Sequence, residues 1–133
     1  MRNLAAGLLF ALVVLISAGS IAQSGTQTAT QFYLAYRDAW MKAKTIDPLL
    51  PYLTRQGQAE IESTPREQRQ MMFEMMKTMG NMTDVKVVSE TRDGDGFHLE
   101  MTATSPDKQP MKGTADIVIE NGAMKLKKES WTS

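Results

Sequence analysis

Methionine is the residue type whose number and spacing stand out in this sequence. Six methionines fall within positions 71–82 of the 133-residue chain. In a helix, at about 100° per residue, five of their side chains would share an arc of about 140°. These five are Met71, Met72, Met75, Met76 and Met79. We call this set the methionine face.

Three interpretations of the methionine face fit the pattern. Methionine fills irregular apolar space, so the face is first expected to be core, packed on the rest of the domain. Flexible thioethers also suit an apolar groove or a contact surface for a partner. Thioether sulfur is a soft ligand that selects Cu(I), and Met72, Met75, Met76 and Met79 have helical spacing that would offer several sulfurs on one side. Core packing requires the face to be buried, whereas a copper site requires it to be exposed.

Other side chains capable of chemistry are few. His98 is the single histidine and the chain has no cysteine, which removes the usual zinc ligand sets. The alternation around His98 places it on the polar face of a strand. We expect an ordinary exposed histidine there, with a partner or metal contact as the alternative. No metal centre and no cofactor are predicted.

The first 22 residues have the pattern of a signal peptide. A basic start at Arg2 precedes an apolar run over 4–16, and Ser20 and Ala22 are small residues before Gln23. The run is shorter than the ~20 apolar residues of a membrane-spanning helix, so we expect removal, a periplasmic or secreted product and no membrane anchor afterwards. Polar residues 23–30 predict a flexible linker, and 31–133 suit a single domain.

The charge balance argues against nucleic acid as a partner. The chain has 15 basic and 15 acidic residues, and loss of the leader with Arg2 leaves one more acid than base. Binding dominated by phosphate contacts needs a strongly basic surface, which this composition does not supply.

Hydrophobic periodicity predicts helices in the first part of the domain. The first helix covers about 29–44, with Tyr36 and Trp40 on its inward stripe. Asp47-Pro48 starts a short helical turn that reaches Leu53, and a short helix follows at about 55–62. Thr64 and Glu67 predict a capping box that starts the methionine-rich helix, and Gly80-Asn81 is expected to end it in the left-handed conformation.

After Asn81 the apolar period changes to two, which predicts four strands. Asp93–Gly96 and Asn121-Gly122 have the composition of tight hairpin turns, and a looser connection spans 105–110. Helices followed by a meander give an α+β domain in which the N-terminal helices pack on a four-stranded antiparallel sheet. The inward positions are expected to be Phe97, Leu99, Met101, Ala103, Ala115, Ile117 and Ile119.

Three stretches carry a resemblance to a known superfamily. They are Phe32–Ala43, the Asp-Pro-Leu-Leu-Pro-Tyr-Leu segment at 47–53, and Gly113–Trp131. This order resembles the nuclear transport factor 2-like (cystatin-like cone) superfamily, and within it the small exported bacterial members of unknown function. The resemblance implies a curved, cone-like sheet around the first helix, whose open end holds a small molecule, a catalytic pair or nothing. Fold membership alone therefore says little about function.

The enzymatic members of that superfamily, which resemble steroid isomerases and polyketide cyclases, place an Asp or His on the inner sheet surface as a general base. The predicted inward positions offer no base, so a cyclase- or isomerase-like enzyme is a remote alternative. The leading hypothesis is a non-catalytic exported binding domain for a small apolar ligand or a protein partner, and a periplasmic Cu(I)-binding protein is the runner-up. The predicted ligand-binding residues are Tyr36, Trp40, Met72, Met76, Leu99 and Met101.

Two further expectations concern the last strand and the outer sheet face. Trp131 is expected to close the sheet against the helices. Lys125, Lys127 and Lys128, balanced by Glu120 and Glu129, are expected to form a solvent-exposed strand face that discourages edge pairing. A homodimer through the outer face of the sheet is a further hypothesis, implied by the resemblance, although the face is polar for an interface.

Overall fold

A computed structural model describes residues 27–133. The predicted signal peptide and residues 23–26 of the predicted linker lie outside this range. No helix among residues 27–133 has the length and hydropathy needed to cross a bilayer. The elements are α1 (Ala29–Lys42), a 3-10 helix (Asp47–Tyr52), α2 (Arg55–Glu62), α3 (Arg66–Met79), β1 (Thr83–Asp93), β2 (Gly96–Thr104), β3 (Pro110–Glu120) and β4 (Ala123–Thr132).

The four strands form one antiparallel sheet in the order β1-β2-β3-β4, which confirms the α+β class. The turn between β3 and β4 has Asn121 at φ 51° and Gly122 at φ 80°. Two successive left-handed residues make the turn whose twist matches the strands beside it, as the Asn-Gly pair predicts. Gly94, at φ 60°, serves the turn between β1 and β2.

The N-terminus of α1 is fixed by side chains on both sides. Thr28 and Gln31 form a reciprocal capping box, each accepting a hydrogen bond from the other's backbone amide at 3.0 Å. Glu90 of β1 accepts from the amide and hydroxyl of Thr30, at 2.8 and 2.7 Å. A carboxylate at this end also matches the positive pole of the helix. The helix therefore begins at Ala29, inside the segment predicted as linker.

The core lies between α1 and one face of the sheet. The buried residues of α1 meet Leu99, Met101, Ala115 and Ile117 from the central strands. Ile119, predicted to be inward, is 39% exposed because it stands near the β3–β4 turn, where it lines an open groove. The buried apolar residues of α1 are Ala29, Phe32, Tyr33, Tyr36 and Trp40.

The predicted signals at the two ends of α3 are wrong. The Thr64 hydroxyl donates backward to the Glu60 carbonyl at 3.3 Å, and the N-cap position is Pro65, which makes no side-chain cap bond. Thr64 lies one residue before the N-cap position, and its hydroxyl does not cap α3. At the other end Gly80 has φ −103°, so the helix ends without a left-handed residue at that position.

Candidate functional site

The methionine face of α3 is exposed to solvent. Its five methionines are between 46% and 71% exposed. The buried residue of α3 is Phe73, which is 2% exposed and stacks edge-on against Trp40 with ring centroids 5.5 Å apart. The expectation that the methionines are core is therefore wrong, and α3 turns its most apolar surface outward.

Polar side chains of α3 attach the helix to the carboxyl end of α1. Lys77 Nζ donates to the Trp40 carbonyl at 2.6 Å and to the Met41 carbonyl at 3.2 Å. Gln70 Nε2 donates to the Lys44 carbonyl at 3.1 Å. The last carbonyls of a helix lack partners within the helix and form its negative pole, so an ammonium group is a favourable partner.

These bonds explain why the sequence pattern misleads. Gln70 and Lys77, on the side of the helix opposite the methionine face, point to the body of the domain. Their hydrogen bonds and Phe73 hold that side inward, and the methionines at the opposite side are left outside. An amphipathic pattern fixes which residues share a face, and it does not fix which face docks.

A small apolar groove adjoins the methionine face. It has a volume of about 180 Å³. Arg69, at its rim, has its guanidinium engaged by the carbonyls of Thr64 and Glu62, at 2.7 and 3.3 Å. Thr64 also lines the groove, and the remaining walls are apolar side chains. They come from Ile46, Ile61, Met72, Phe73 and Met76.

The six predicted ligand-binding residues divide into two groups. Met72 and Met76 line the groove beside α3. Tyr36, Trp40, Leu99 and Met101 are at most 6% exposed and belong to the packed core. Neighbouring rings fill the space around the two aromatic residues. The ring centroids of Tyr36 and Tyr52 are 5.7 Å apart, and those of Trp40 and Phe73 are 5.5 Å apart.

Sequence reasoning did not find the other groove residues, Ile46 and Ile61. Ile46 precedes the 3-10 helix, and Ile61 is on a helix of eight residues without any buried side chain. Neither stands in an apolar stripe long enough to give a periodic signal. The signal that could have found them is that each is a single isoleucine among polar residues.

A second site, inside the domain, contains ionisable groups. The Tyr33 hydroxyl donates to Glu129 Oε2, and Arg37 Nη1 lies 3.4 Å from the same oxygen. Arg37, only 6% exposed, also donates from Nη2 to the Gly80 carbonyl at 3.3 Å. No pattern in the sequence indicated this cluster, because Tyr33 and Arg37 lie beside the stripe defined by Tyr36 and Trp40.

Burial governs the acid-base behaviour of the two tyrosines in this region. Desolvation, together with the negative charge of Glu129, raises the pKa of Tyr33 far above its usual range. The same two causes raise the pKa of Tyr36. Both phenols therefore stay protonated in the folded protein at any physiological pH, which suits Tyr33 as a hydrogen-bond donor to the carboxylate.

A β-bulge in β4 turns Glu129 inward. Ile117 pairs with Leu126 while its neighbour Asp116 pairs with Lys128, so one residue of β4 has no partner. The extra residue reverses the alternation, so that Glu129 comes to the same face as Leu126. The prediction that Glu129 belongs to the solvent-exposed strand face is wrong for this reason.

Trp131, near the end of β4, closes the sheet against the helices, as predicted. Its ring packs against the core, and the Arg37 guanidinium lies 6.0 Å from its centre and 5.7 Å from that of Trp40. Gly113 makes room for it, because a Cβ there would lie 2.5 Å from the Trp131 ring. The guanidinium is thus held by two indole rings as well as by Glu129.

His98 lies on the outer face of the sheet and has a partner. Its Nδ1 is 2.7 Å from Asp116 Oδ1, and both side chains are about two-fifths exposed, at 40% and 38%. The hydrogen bond to Asp116 raises the pKa of His98. Among residues 27–133 no three His, Cys, Asp or Glu side chains gather in a way that could hold a metal ion.

Comparison of the chain with protein-family models, with curated proteins and with solved structures finds no significant match in any of the three. The arguments about function therefore rest on the residues and their geometry.

Proposed function

We propose that this protein is a non-catalytic exported binding domain, which uses the methionine face and the adjoining groove to bind an apolar segment of a protein partner. The observation that carries the proposal is the outward orientation of α3. Five large apolar side chains on one helix face are exposed by about half or more. Apolar patches of this kind on soluble proteins mark interaction sites.

The size of the groove favours a protein segment over a free small molecule. Pockets that enclose a ligand of ordinary size have volumes of roughly 300–1,000 Å³. The groove, at about 180 Å³, suits one aliphatic or aromatic side chain. The exposed methionines next to it supply further contact area, and their flexible side chains adapt to the shape of the partner. The partner would insert one side chain and lay the rest of an apolar segment along α3.

The interior cluster supports a structural role more than a catalytic one. Glu129 is engaged by Tyr33 and Arg37, and Arg37 is enclosed by indole rings. A general base needs an approach for the substrate and a proton acceptor that is not already committed. We therefore assign this cluster to holding β4 on α1.

Fold family and location are part of the same proposal. Packing of an aromatic first helix on one face of a four-stranded antiparallel meander supports membership of the nuclear transport factor 2-like superfamily, with the cone-like curvature that it implies. The pattern of residues 1–22 supports export to the periplasm or the medium. N-terminal sequencing of the protein recovered from the envelope or the medium would test the export, and a chain still beginning at Met1 would contradict it.

Site-specific crosslinking in the host tests the binding function. A photoreactive residue in place of Met75 should crosslink to one defined partner, and the same residue in place of the outer-strand Lys127 should not. With the photoreactive residue in place of Met72, the double change Met75→Glu and Met76→Glu should abolish crosslinking, because two charges would be buried at the interface. Gln56→Glu, on α2, adds charge outside the face and should leave capture intact.

Each outcome of this experiment is informative. Crosslinks to a single partner whose contact peptide is apolar support the proposal. Crosslinks to a second copy of this chain would replace the partner with a homodimer. Equal labelling from Met75 and Lys127, or a small molecule retained by the protein in native mass spectrometry and displaced by the Met76→Glu change, would overturn it.

A further inference from the structure

The methionine face also has the composition of a soft-metal site. Met72 lies three and four residues before Met75 and Met76, and Met79 lies three and four residues after Met76 and Met75. Side chains at such spacings are neighbours, with Cβ atoms about 5–6 Å apart. Each of the four is between 46% and 71% exposed, so its thioether can change rotamer without disturbing the core. Sulfurs from three of them, Met75 and Met76 with either Met72 or Met79, can therefore converge on one ion above the helix.

The ligand type determines which ion this would be. Thioethers are neutral, soft donors that select Cu(I) and its heavier analogue Ag(I), and they bind hard divalent ions poorly. Competing ligands are scarce in this chain, which has no cysteine and a single histidine. His98 lies on the sheet and is bonded to Asp116, away from α3.

We propose that α3 binds one monovalent soft ion, Cu(I) or Ag(I), through the thioethers of Met75 and Met76 together with that of Met72 or Met79. The inference shares a surface with the proposed protein-binding function but does not depend on it. Thioethers have no proton to lose, so binding should hardly change between about pH 5 and pH 7.5. Sites made of thiolate or imidazole would weaken as their ligands become protonated.

The experiment uses Ag(I), which needs no reductant, and protein labelled with ¹³C at the methionine methyl groups. We expect the methyl signals of Met72, Met75, Met76 and Met79 to shift and to saturate at one ion per chain. Met82 and Met101, which are 5% and 1% exposed, serve as internal references whose signals stay in place. Shifts spread over all exposed methionines, including Met41, without saturation near one ion would overturn the proposal, as would no shift at all.

Competition with a chromophoric Cu(I) chelator gives the second measurement. The variant with Met72→Leu, Met75→Leu, Met76→Leu and Met79→Leu keeps an apolar face and removes the sulfurs, and it should lose about tenfold or more in affinity. Met41→Leu, at an exposed methionine of α1, should lose nothing. Equal affinity in the two variants would contradict the assignment. Should the fourfold variant not fold, Met75→Leu alone replaces it, with a smaller but measurable loss expected.

The leucine variant also separates this proposal from the proposed function. With the photoreactive residue placed at Met71, which the leucine variant otherwise keeps, a partner that recognises an apolar surface should still crosslink, because leucine is close to methionine in volume. Ion binding without any crosslinked partner would end the protein-binding proposal and leave the metal site standing. Crosslinking without ion binding would end the metal-site proposal and leave the protein-binding proposal standing.

Discussion

Helices α1 and α3 differ in the kind of residue that they bury. Helix α1 buries a charged residue, Arg37, at 6% exposure, whereas α3 exposes five methionines. In α1 the buried charge has Glu129 opposite it and two indole rings around it. In α3 the inward polar residues reach carbonyls at the end of α1 and just beyond it. Burial in both places follows the availability of hydrogen-bond partners, and hydrophobicity alone does not predict it.

The difference separates the part of the fold that determines stability from the surface that is proposed to bind a partner. The packing of α1 on the sheet accounts for most of the core, so substitutions there should unfold the protein. The outward side of α3 contributes little to the core, so substitutions there should affect partners and leave the fold intact. Each prediction below tests one side of this contrast.

Truncating one buried and one exposed methionine should give the largest difference in the free energy of unfolding. Met101→Ala removes a side chain that is 1% exposed and should lower the free energy of unfolding by about 4 kcal/mol, from lost burial and the cavity left behind. Met75→Ala, at a side chain 58% exposed, should change it by no more than about 0.5 kcal/mol. Urea denaturation measures both. Similar losses for the two variants would mean that the methionine face is buried after all.

Breaking the interior ion pair should be nearly as costly. Glu129→Ala leaves Arg37 as a buried, unpaired charge and should cost about 3 kcal/mol of unfolding free energy. Lys128→Ala, at the exposed neighbour in the same strand, is the matched control and should cost less than about 0.5 kcal/mol. Thermal or urea unfolding gives the comparison. If the two variants were equally stable, Glu129 would have to lie outside the cluster.

Removing the attachment of α3 should have a smaller, local effect. Lys77→Met keeps a long, unbranched side chain but loses the hydrogen bonds to the Trp40 and Met41 carbonyls. We expect the free energy of unfolding to fall by about 1 kcal/mol. Hydrogen exchange of the α3 amides should accelerate more than exchange in β2 and β3. Lys127→Met, on β4, serves as the control for the loss of one exposed lysine. Uniform acceleration in all elements would show that α3 is held by the core itself.

The His98–Asp116 pair should give the smallest effect, visible as a dependence of stability on pH. The pKa of His98 is raised in the folded state, so the pair's contribution is fully present below about pH 6.5 and is lost as the pH rises through the folded value. The melting temperature should fall slightly from pH 6 to pH 8. Asp116→Asn should flatten this difference, and an unchanged slope in that variant would assign it to other groups.

Local patterns predicted the elements well. The alternation after Asn81 correctly gave four strands, and Asn121-Gly122 gave the turn, because period two and left-handed residues are properties of a few consecutive positions. The helix bounds near 29 and 62 were predicted within a residue or two. Signals that required a partner elsewhere were less reliable, and Thr64 shows the reason: its hydroxyl bonds to Glu60 instead of capping α3.

The candidate site was predicted only in part. Met72 and Met76 were correctly placed on one side of a helix, and both line the groove. Ile46 and Ile61 join them from separate elements, which no periodicity within α3 could reveal. Glu129 was assigned to the wrong face because the bulge in β4 leaves no mark in the alternation that precedes it.

By itself the sequence determined the class of fold, the order of its elements and the grouping of five thioethers on one helical face, since these follow from the spacing of apolar residues along the chain. Tertiary structure alone decided that this face points to solvent and that Arg37 and Glu129 meet inside. The physical reason is the same in both places: a buried polar group must find its partner, and its partner belongs to another element of the fold.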